Sequence, residues 1–280
     1  MLLTPFDPWK STLCTCPSKL TLNPYTGCDH RCIYCYASSY IPRFYECRPK
    51  KNLLIRLKKE AAKLDNELIS ISNSSDPYPQ QEKETELTRN CLKILEKTNC
   101  KIQIITKSDL VVRDIDILKN IRCAISITVL TDNDKLSKKL EPGAPTSSKR
   151  IKAIETLVKE RIPTTFRIDP IIPFVNDNFT KLVEKIANLG VQHITSSTYK
   201  VKTDNWKRFC KIFPEAAEKL KEMYFIKGSR VGRSLYLPHH IRFDLMKKVK
   251  QIAEKYDIKF GSCREGFQLN SALCDGSWVI

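Results

Sequence analysis

Along the first two hundred positions, stretches of alternating polarity trade places with stretches of helical spacing. Residues 19–23 (Lys-Leu-Thr-Leu-Asn) alternate and predict a short strand. Residues 52–64 set Leu53, Leu54, Leu57, Ala61 and Leu64 on one helical face. The exchange then repeats. Strands are predicted at 68–72, 101–106, 123–129, 164–168 and 191–196, the fifth breaking at Asp169-Pro170. Helices are predicted at 84–98, 114–120, 147–160 and 178–189, the last stopped by Gly190. Six strands alternating with helices imply an α/β chain of parallel units, arranged as a partial barrel open on one side. In such folds ligands bind at the carboxyl ends of the strands. Those ends carry Ser74-Ser75-Asp76, Lys107, Thr128, Asp169 and Ser197.

Beyond Lys200 the pattern changes. Residues 204–224 read as helix interrupted near Pro214, 225–238 as a loop, 241–256 as a basic helix and 258–261 as a last strand. The expected organisation is an irregular lead-in at 1–17, the barrel at 18–200, and a basic helical extension with a cysteine-containing tail at 201–280.

Composition narrows the classes. A chain of 280 residues can bury a core without disulfide staples. Its formal charge of +17 predicts an anionic partner, nucleic acid first, against the plainer reading of a solvated lysine-rich surface. The first residues do not resemble a signal peptide, and no apolar run is long enough to span a bilayer. A reducing cytoplasm is therefore expected. The twelve cysteines then read as metal ligands, reactive thiols or small core residues.

The densest chemistry lies at 23–37, where Cys28, Cys32 and Cys35 stand at C-x3-C-x2-C behind Gly27. An iron–sulfur cube takes four thiolates, so three on one short loop hold three irons and leave the fourth open. Zinc is the alternative, with His30 or Cys47 as fourth ligand, although zinc motifs usually come as two separated pairs. Cys14, Cys16, Cys263 and Cys274 make a second set of four, sufficient for an auxiliary cluster or a structural zinc; a redox or hydrogen-donor role and inert packing are the other readings. One objection stands: Cys14 and Cys16 precede the first strand and Cys263 follows the last, so they start at opposite ends of the barrel.

The triplet resembles the signature of the radical S-adenosylmethionine (radical SAM) superfamily, and Tyr34-Cys35-Tyr36 is similar to the branch that contains spore photoproduct lyase. The resemblance implies a partial (β/α)6 TIM-like barrel of the radical SAM type. It implies a [4Fe-4S] cluster on Cys28, Cys32 and Cys35, S-adenosylmethionine on the open iron, and an electron donor such as ferredoxin or flavodoxin. Cleavage of the cofactor to a 5′-deoxyadenosyl radical follows from the same likeness. It sets Tyr36 at the adenine, Lys107 at the carboxylate and Ser126 at the ribose, with Thr128 on the face of Ser126. Ser75 and Asp76 fall where the family carries a turn for the methionine amine; an Asx turn before Pro77 is an equal reading. Tyr36 is a candidate hydrogen relay, or simply packs. The donor cysteine of the lyase has no clear counterpart, Cys47 and Cys123 being the nearest. Glu141-Pro142-Gly143 and Arg150 match the branch without an assigned role.

Basic residues around Trp206 (Lys200, Lys202, Lys207, Arg208), together with Lys227, Arg230 and Arg233, form the expected nucleic-acid surface. Three functions are carried forward. The first is a radical SAM enzyme acting on a nucleic acid base, in lesion repair or base modification. The second is a radical SAM enzyme acting on a peptide or small metabolite. The third is a non-catalytic cysteine-rich metal protein that binds nucleic acid.

Overall fold

A computed structural model describes residues 2–6 and 11–280. In chain order the strands are β1 (Thr4–Pro5), β2 (Leu20–Leu22), β3 (Tyr25–Thr26), β4 (Arg48–Pro49), β5 (Leu68–Ile71), β6 (Lys101–Thr106), β7 (Cys123–Thr128), β8 (Thr164–Ile171), β9 (His193–Thr198), β10 (Ser229–Val231), β11 (Ser234–Tyr236) and β12 (Lys259–Ser262). The helices are α1 (Leu53–Ala61), α2 (Glu82–Thr85), α3 (Leu87–Leu95), α4 (Ile115–Leu118), α5 (Asp134–Leu140), α6 (Ser147–Lys159), α7 (Thr180–Ala187), α8 (Thr203–Ile212), α9 (Pro214–Phe225) and α10 (His239–Lys255). The main sheet runs β1-β2-β5-β6-β7-β8-β9-β12. Every neighbouring pair from β2 to β12 is parallel, and β1 adds an antiparallel edge. This is the partial barrel expected from the sequence, with the six expected strands in their expected order. The sheet does not stop at residue 200, because β12 pairs with β9.

The two faces of the sheet differ in kind. Alternate residues share a face. Ile69, Ile71, Ile102, Ile104, Ile125, Ile127, Phe166, Ile168, Ile194 and Phe260 point outward, fully buried beneath the helices. Each such side chain contributes roughly 1.5–3 kcal/mol on burial. The inner face is polar. Register sets Thr21, Ser70 and Gln103 in one row, Ser126, Thr165 and His193 in the next, and Thr128, Arg167 and Thr195 above them.

Buried polar rows need partners, and the C-terminal tail supplies many of them. Asp275 pairs with Lys19 at 2.5 Å, and its carbonyl accepts from Gln103 Nε2 at 2.8 Å. Cys274 offers its carbonyl to Thr195 Oγ1 at 3.0 Å. Trp278 Nε1 donates to His193 Nδ1 at 3.0 Å. Gly261 admits this tail, since a Cβ there would lie 2.5 Å from the Cys274 backbone.

Several local expectations change. The lead-in is not wholly irregular, since Thr4–Pro5 pairs with β2; residues 7–10 lie outside the described residues. β8 continues past Asp169-Pro170 to Ile171, with a register shift between Ile168 and Ile171 that accommodates the proline's missing donor. α5 forms where the sequence suggests a loop, because only Leu136 and Leu140 mark its buried side; the Asn133 side chain caps it by accepting from Lys135 N and Leu136 N. The loop at 225–238 holds a two-stranded hairpin, β10–β11, turning at Gly232 with φ +56.

The Lys19–Asp275 pair is testable. Asp275→Ala strands a buried ammonium and is expected to lower the stability by about 3–5 kcal/mol, whereas Lys19→Met with Asp275→Leu costs less than that single change. Urea midpoints of the three proteins check the order. Burial alone raises the Asp275 carboxyl, but Lys19 outweighs it and holds the group below its ordinary value of 3.8. The stabilisation is therefore present above that value and lost as pH falls through the lower folded-state one.

Candidate active site

The cysteine triplet sits on the long connection from β2 to α1, at the carboxyl edge of the sheet. β3 and β4 pair at its base, Tyr25 opposite Pro49 and Thr26 opposite Arg48. Gly27 is required here: its φ is +81, and a Cβ would overlap the Phe44 carbonyl that also accepts from Cys28 N at 2.7 Å. Cys28 and Cys32 are buried and Cys35 is half-buried. Burial pushes the Cys32 thiol up to about 12, against the pull of Lys107, and raises Cys28 and Cys35 as well. Backbone N–H groups of His30 and Asp76 point at the Cys28 sulfur, and those of Ala37 and Ser38 at Cys35. Such dipoles suit sulfurs that become anionic on binding a metal centre. The triplet therefore fits an iron–sulfur cube, in which each sulfur takes its own iron. The zinc alternative fares worse. Of its candidate fourth ligands, His30 turns to Asp76, Nδ1 to Oδ2 3.4 Å.

A bracket grips the loop from residues more than a hundred positions away. Ile33 N donates to Leu140 O at 3.0 Å and Gly143 N to His30 O at 2.9 Å. A Cβ on Gly143 would overlap the Asp29 carbonyl. The Tyr34 hydroxyl donates to Glu141, whose other oxygen lies 2.5 Å from Arg150; both charged side chains are fully buried. Arg150 also donates to Thr128 O at 3.0 Å and Pro145 O at 2.9 Å. Glu141-Pro142-Gly143 and Arg150 thus have a physical role that their spacing did not disclose. From the other side Arg208 donates to Ile33 O at 3.1 Å and Cys35 O at 3.0 Å, and Asn205 Nδ2 to Tyr34 O at 3.1 Å. Asn205 escaped the sequence reading; the one local signal was its place at the third position of α8, where it also accepts from Lys202 N.

Lys107, Ser126 and Thr128 are neighbours across β6 and β7. The strand register places Ser126 and Thr128 on the inner face, with Lys107 following β6 at the level of Thr128. Burial works against the Lys107 ammonium, but Cys32, Glu141 and Asp76 outweigh it and keep its pKa above the ordinary value. Ser126 Oγ is buried without a hydrogen-bond partner. Tyr36 is 43% exposed beside Tyr40, ring centroids 6.3 Å apart, with Lys202 Nζ 5.5 Å from the Tyr40 ring.

Other expectations need correction. Asp76 lies beside His30 and Lys107 with its oxygens engaged: Tyr78 N and Thr106 Oγ1 donate to one at 2.9 and 2.7 Å, and Lys107 N to the other at 2.8 Å. The Asx-turn reading describes it. Ser75 Oγ likewise donates to Tyr25 O at 3.1 Å. Cys123 begins β7, at the far end from the mouth, its sulfur 3.4 Å from Leu118 O. Lys200 is tied to the buried Glu265 at 2.6 Å and Arg208 to the cysteine loop, so the basic surface is smaller than the sequence suggested; Lys227 stays exposed, paired with Glu222 at 2.9 Å. Trp206 packs among Phe209, Tyr224 and Phe225 rather than standing open. The objection to a meeting of the outlying cysteines falls, because the tail folds back inside the barrel. Cys16 Sγ lies 3.6 Å from Cys274 Sγ, Cys14 touches Cys16, and Cys263 is within electrostatic reach of both members of that pair.

Comparison with known proteins agrees with this geometry. Residues 22–186 match the model of the radical SAM superfamily. An uncharacterized protein of Methanocaldococcus jannaschii is 36% identical over 168 residues, which cover 57% of this chain and 63% of that relative, so the match spans less than two thirds of its length. An uncharacterized protein of Mycobacterium tuberculosis is 22% identical over 265 residues, covering 86% of this chain and 76% of its own. Among solved structures, spore photoproduct lyase with bound AdoMet and dinucleoside spore photoproduct superposes with a TM-score of 0.67 at 15% identity, over 90% of this chain and 76% of the lyase chain. A radical S-adenosylmethionine methyltransferase from Kitasatospora setae with tryptophan substrate gives 0.59 at 10%, over 91% of this chain and 56% of its own. Since the family model covers more than half of the chain, and does so across the cysteine triplet and the strands that carry Lys107, Ser126 and Thr128, the protein belongs to the radical SAM superfamily.

Proposed function

We propose that Cys28, Cys32 and Cys35 hold the [4Fe-4S] cluster used by this family, that Lys107, Ser126 and Thr128 hold its S-adenosylmethionine, and that the substrate is a base in a nucleic acid. When bound, the cluster and cofactor supply hydrogen abstraction from an unactivated carbon; the chain's part is binding, orientation and exclusion of water. Lys107 offers a cation to the cofactor's carboxylate from a site where nearby anions keep it protonated. Ser126 Oγ, buried and unpartnered, is placed for a ribose hydroxyl, since an unpaired polar atom in that position is costly. The Glu141–Arg150 bracket and Arg208 hold the loop that presents the sulfurs.

The substrate reading is carried by the rim. Tyr36 and Tyr40 expose ring faces there, Lys202 lies against Tyr40, and Arg233 of the β10–β11 turn is within electrostatic reach of Lys202. Arg230 and Arg233 are exposed on that hairpin. Aromatic faces flanked by cations suit a strand whose base leaves its stack to reach a recessed site. Spore photoproduct lyase was solved with a dinucleoside photoproduct, which supports a nucleic-acid substrate here by analogy of fold. A one-electron protein carrier of the ferredoxin or flavodoxin class completes the proposed set of partners.

Reconstituted anaerobically with iron and sulfide, reduced and given S-adenosylmethionine, the protein is expected to release 5′-deoxyadenosine. Cys32→Ala abolishes both the cluster's visible absorption and that release, and survival of either refutes the ligand assignment. Cleavage that no DNA or RNA, lesioned or intact, accelerates or redirects overturns the nucleic-acid reading and favours a peptide or small metabolite. Arg230→Ala with Arg233→Ala weakens nucleic-acid binding across sequences and lowers the slope of log affinity against log salt by ~0.7–0.9 for each phosphate no longer neutralised; a fluorescence-anisotropy titration at several salt concentrations measures it. Glu141→Ala leaves Arg150 buried and unpaired, at about 3–5 kcal/mol. Its iron content after desalting is expected to fall severalfold, with Glu141→Gln intermediate.

A further inference from the structure

Cys16 and Cys274 have no part in the site just described. They come from opposite ends of the chain, 258 positions apart, yet their sulfurs lie 3.6 Å apart. That separation is a close thiol contact, longer than the roughly 2.05 Å of a disulfide. Each partner is fixed by its own element. Cys16 precedes β2 by a few residues, and Lys19 just after it is anchored to Asp275 and Gln103. Cys274 is held against Gly261 and by its carbonyl on Thr195. The two anchors share Asp275, the residue next to Cys274, so the sulfurs are held in register by a buried ion pair.

We infer that Cys16 and Cys274 form a reversible dithiol–disulfide couple that fastens the lead-in to the tail inside the barrel. The roles of the two sulfurs follow from exposure. Cys16 is half-buried and Cys274 is buried, so an external disulfide reaches Cys16 first. In the first step the Cys16 thiolate attacks one sulfur of that external disulfide and expels the other half, which leaves as a thiol after taking up a proton. In the second step the Cys274 thiolate attacks the Cys16 sulfur and expels the remaining half. The balance is two protein thiols and one small disulfide in, one protein disulfide and two small thiols out. Cys14 touches Cys16 but belongs to the same short segment, so a bond between those two fastens nothing to the tail.

The test uses the reconstituted protein under anaerobic conditions, treated with oxidised glutathione and analysed by intact mass and by peptide mapping without reductant. Wild type is expected to lose two hydrogens and yield a peptide joining Cys16 to Cys274, with two fewer alkylatable thiols. Cys274→Ser is expected to stop at one glutathione on Cys16, and Cys16→Ser to show neither product. Cys14→Ala keeps the wild-type outcome. A bond from Cys14 to Cys16 in wild type overturns the proposal. So does a glutathione adduct of wild type that never resolves. Stoichiometric zinc or extra iron in the purified protein, absent from both Cys16→Ser and Cys274→Ser, overturns it as well, because the sulfurs are then metal ligands.

Discussion

A sheet with an apolar outer face and a polar inner one cannot be left open to itself. Rows of Ser, Thr, Gln and His on the inner face must find partners or water. The rest of the molecule answers that constraint in part. Toward one end of the strands the C-terminal tail enters and meets Lys19, Gln103, Thr195 and His193. On β7, by contrast, the buried Ser126 Oγ is left without a partner. Filled and unpartnered parts of the interior therefore lie side by side, since Ser126 shares a row with His193 and Thr128 one with Thr195.

The cysteine loop poses the opposite difficulty. It has little regular structure of its own: the short β3–β4 pair at its base and one 3-10 turn at Ala37–Ser39. Its shape is imposed from outside by the carbonyls and amides of residues 140–143, by the Glu141–Arg150 pair, and by α8 through Asn205 and Arg208. A buried ion pair is a weak source of net stability but a strict one for geometry, because both charges must be satisfied at once. Here the pair also takes the Tyr34 hydroxyl, and Tyr34 stands between two of the three cysteines in the chain.

Much of the barrel was legible in the sequence because its signals are local: a polar–apolar alternation of period two, a helix stripe, a stop at glycine. The triplet was legible because its spacing is short. What was hidden depends on residues that meet only in space. Asp76 reads equally as an acid for a ligand and as an Asx turn; in space its oxygens take Tyr78 N, the Thr106 hydroxyl and Lys107 N, and two of these three donors come from another segment of the chain. Lys200 and Arg208 read as surface cations, yet one pairs with Glu265 and the other with carbonyls of the cysteine loop. Net charge does not say which cations are already engaged. Likewise the place of β12 in the sheet, and the return of the tail beneath it, cannot be read from a four-residue strand near the end of the chain.

The filled end has a bearing on traffic. With Asp275 on Lys19 and Trp278 on His193, the strands are stoppered on the side away from the cysteines. A vessel closed below is loaded and emptied over one lip. On the proposed assignment, the cofactor beside Ser126 arrives before a substrate above it, and a large guest at the lip detains what lies beneath until it leaves. On that assignment the order of loading is a property of shape, set in part by a short stretch of tail.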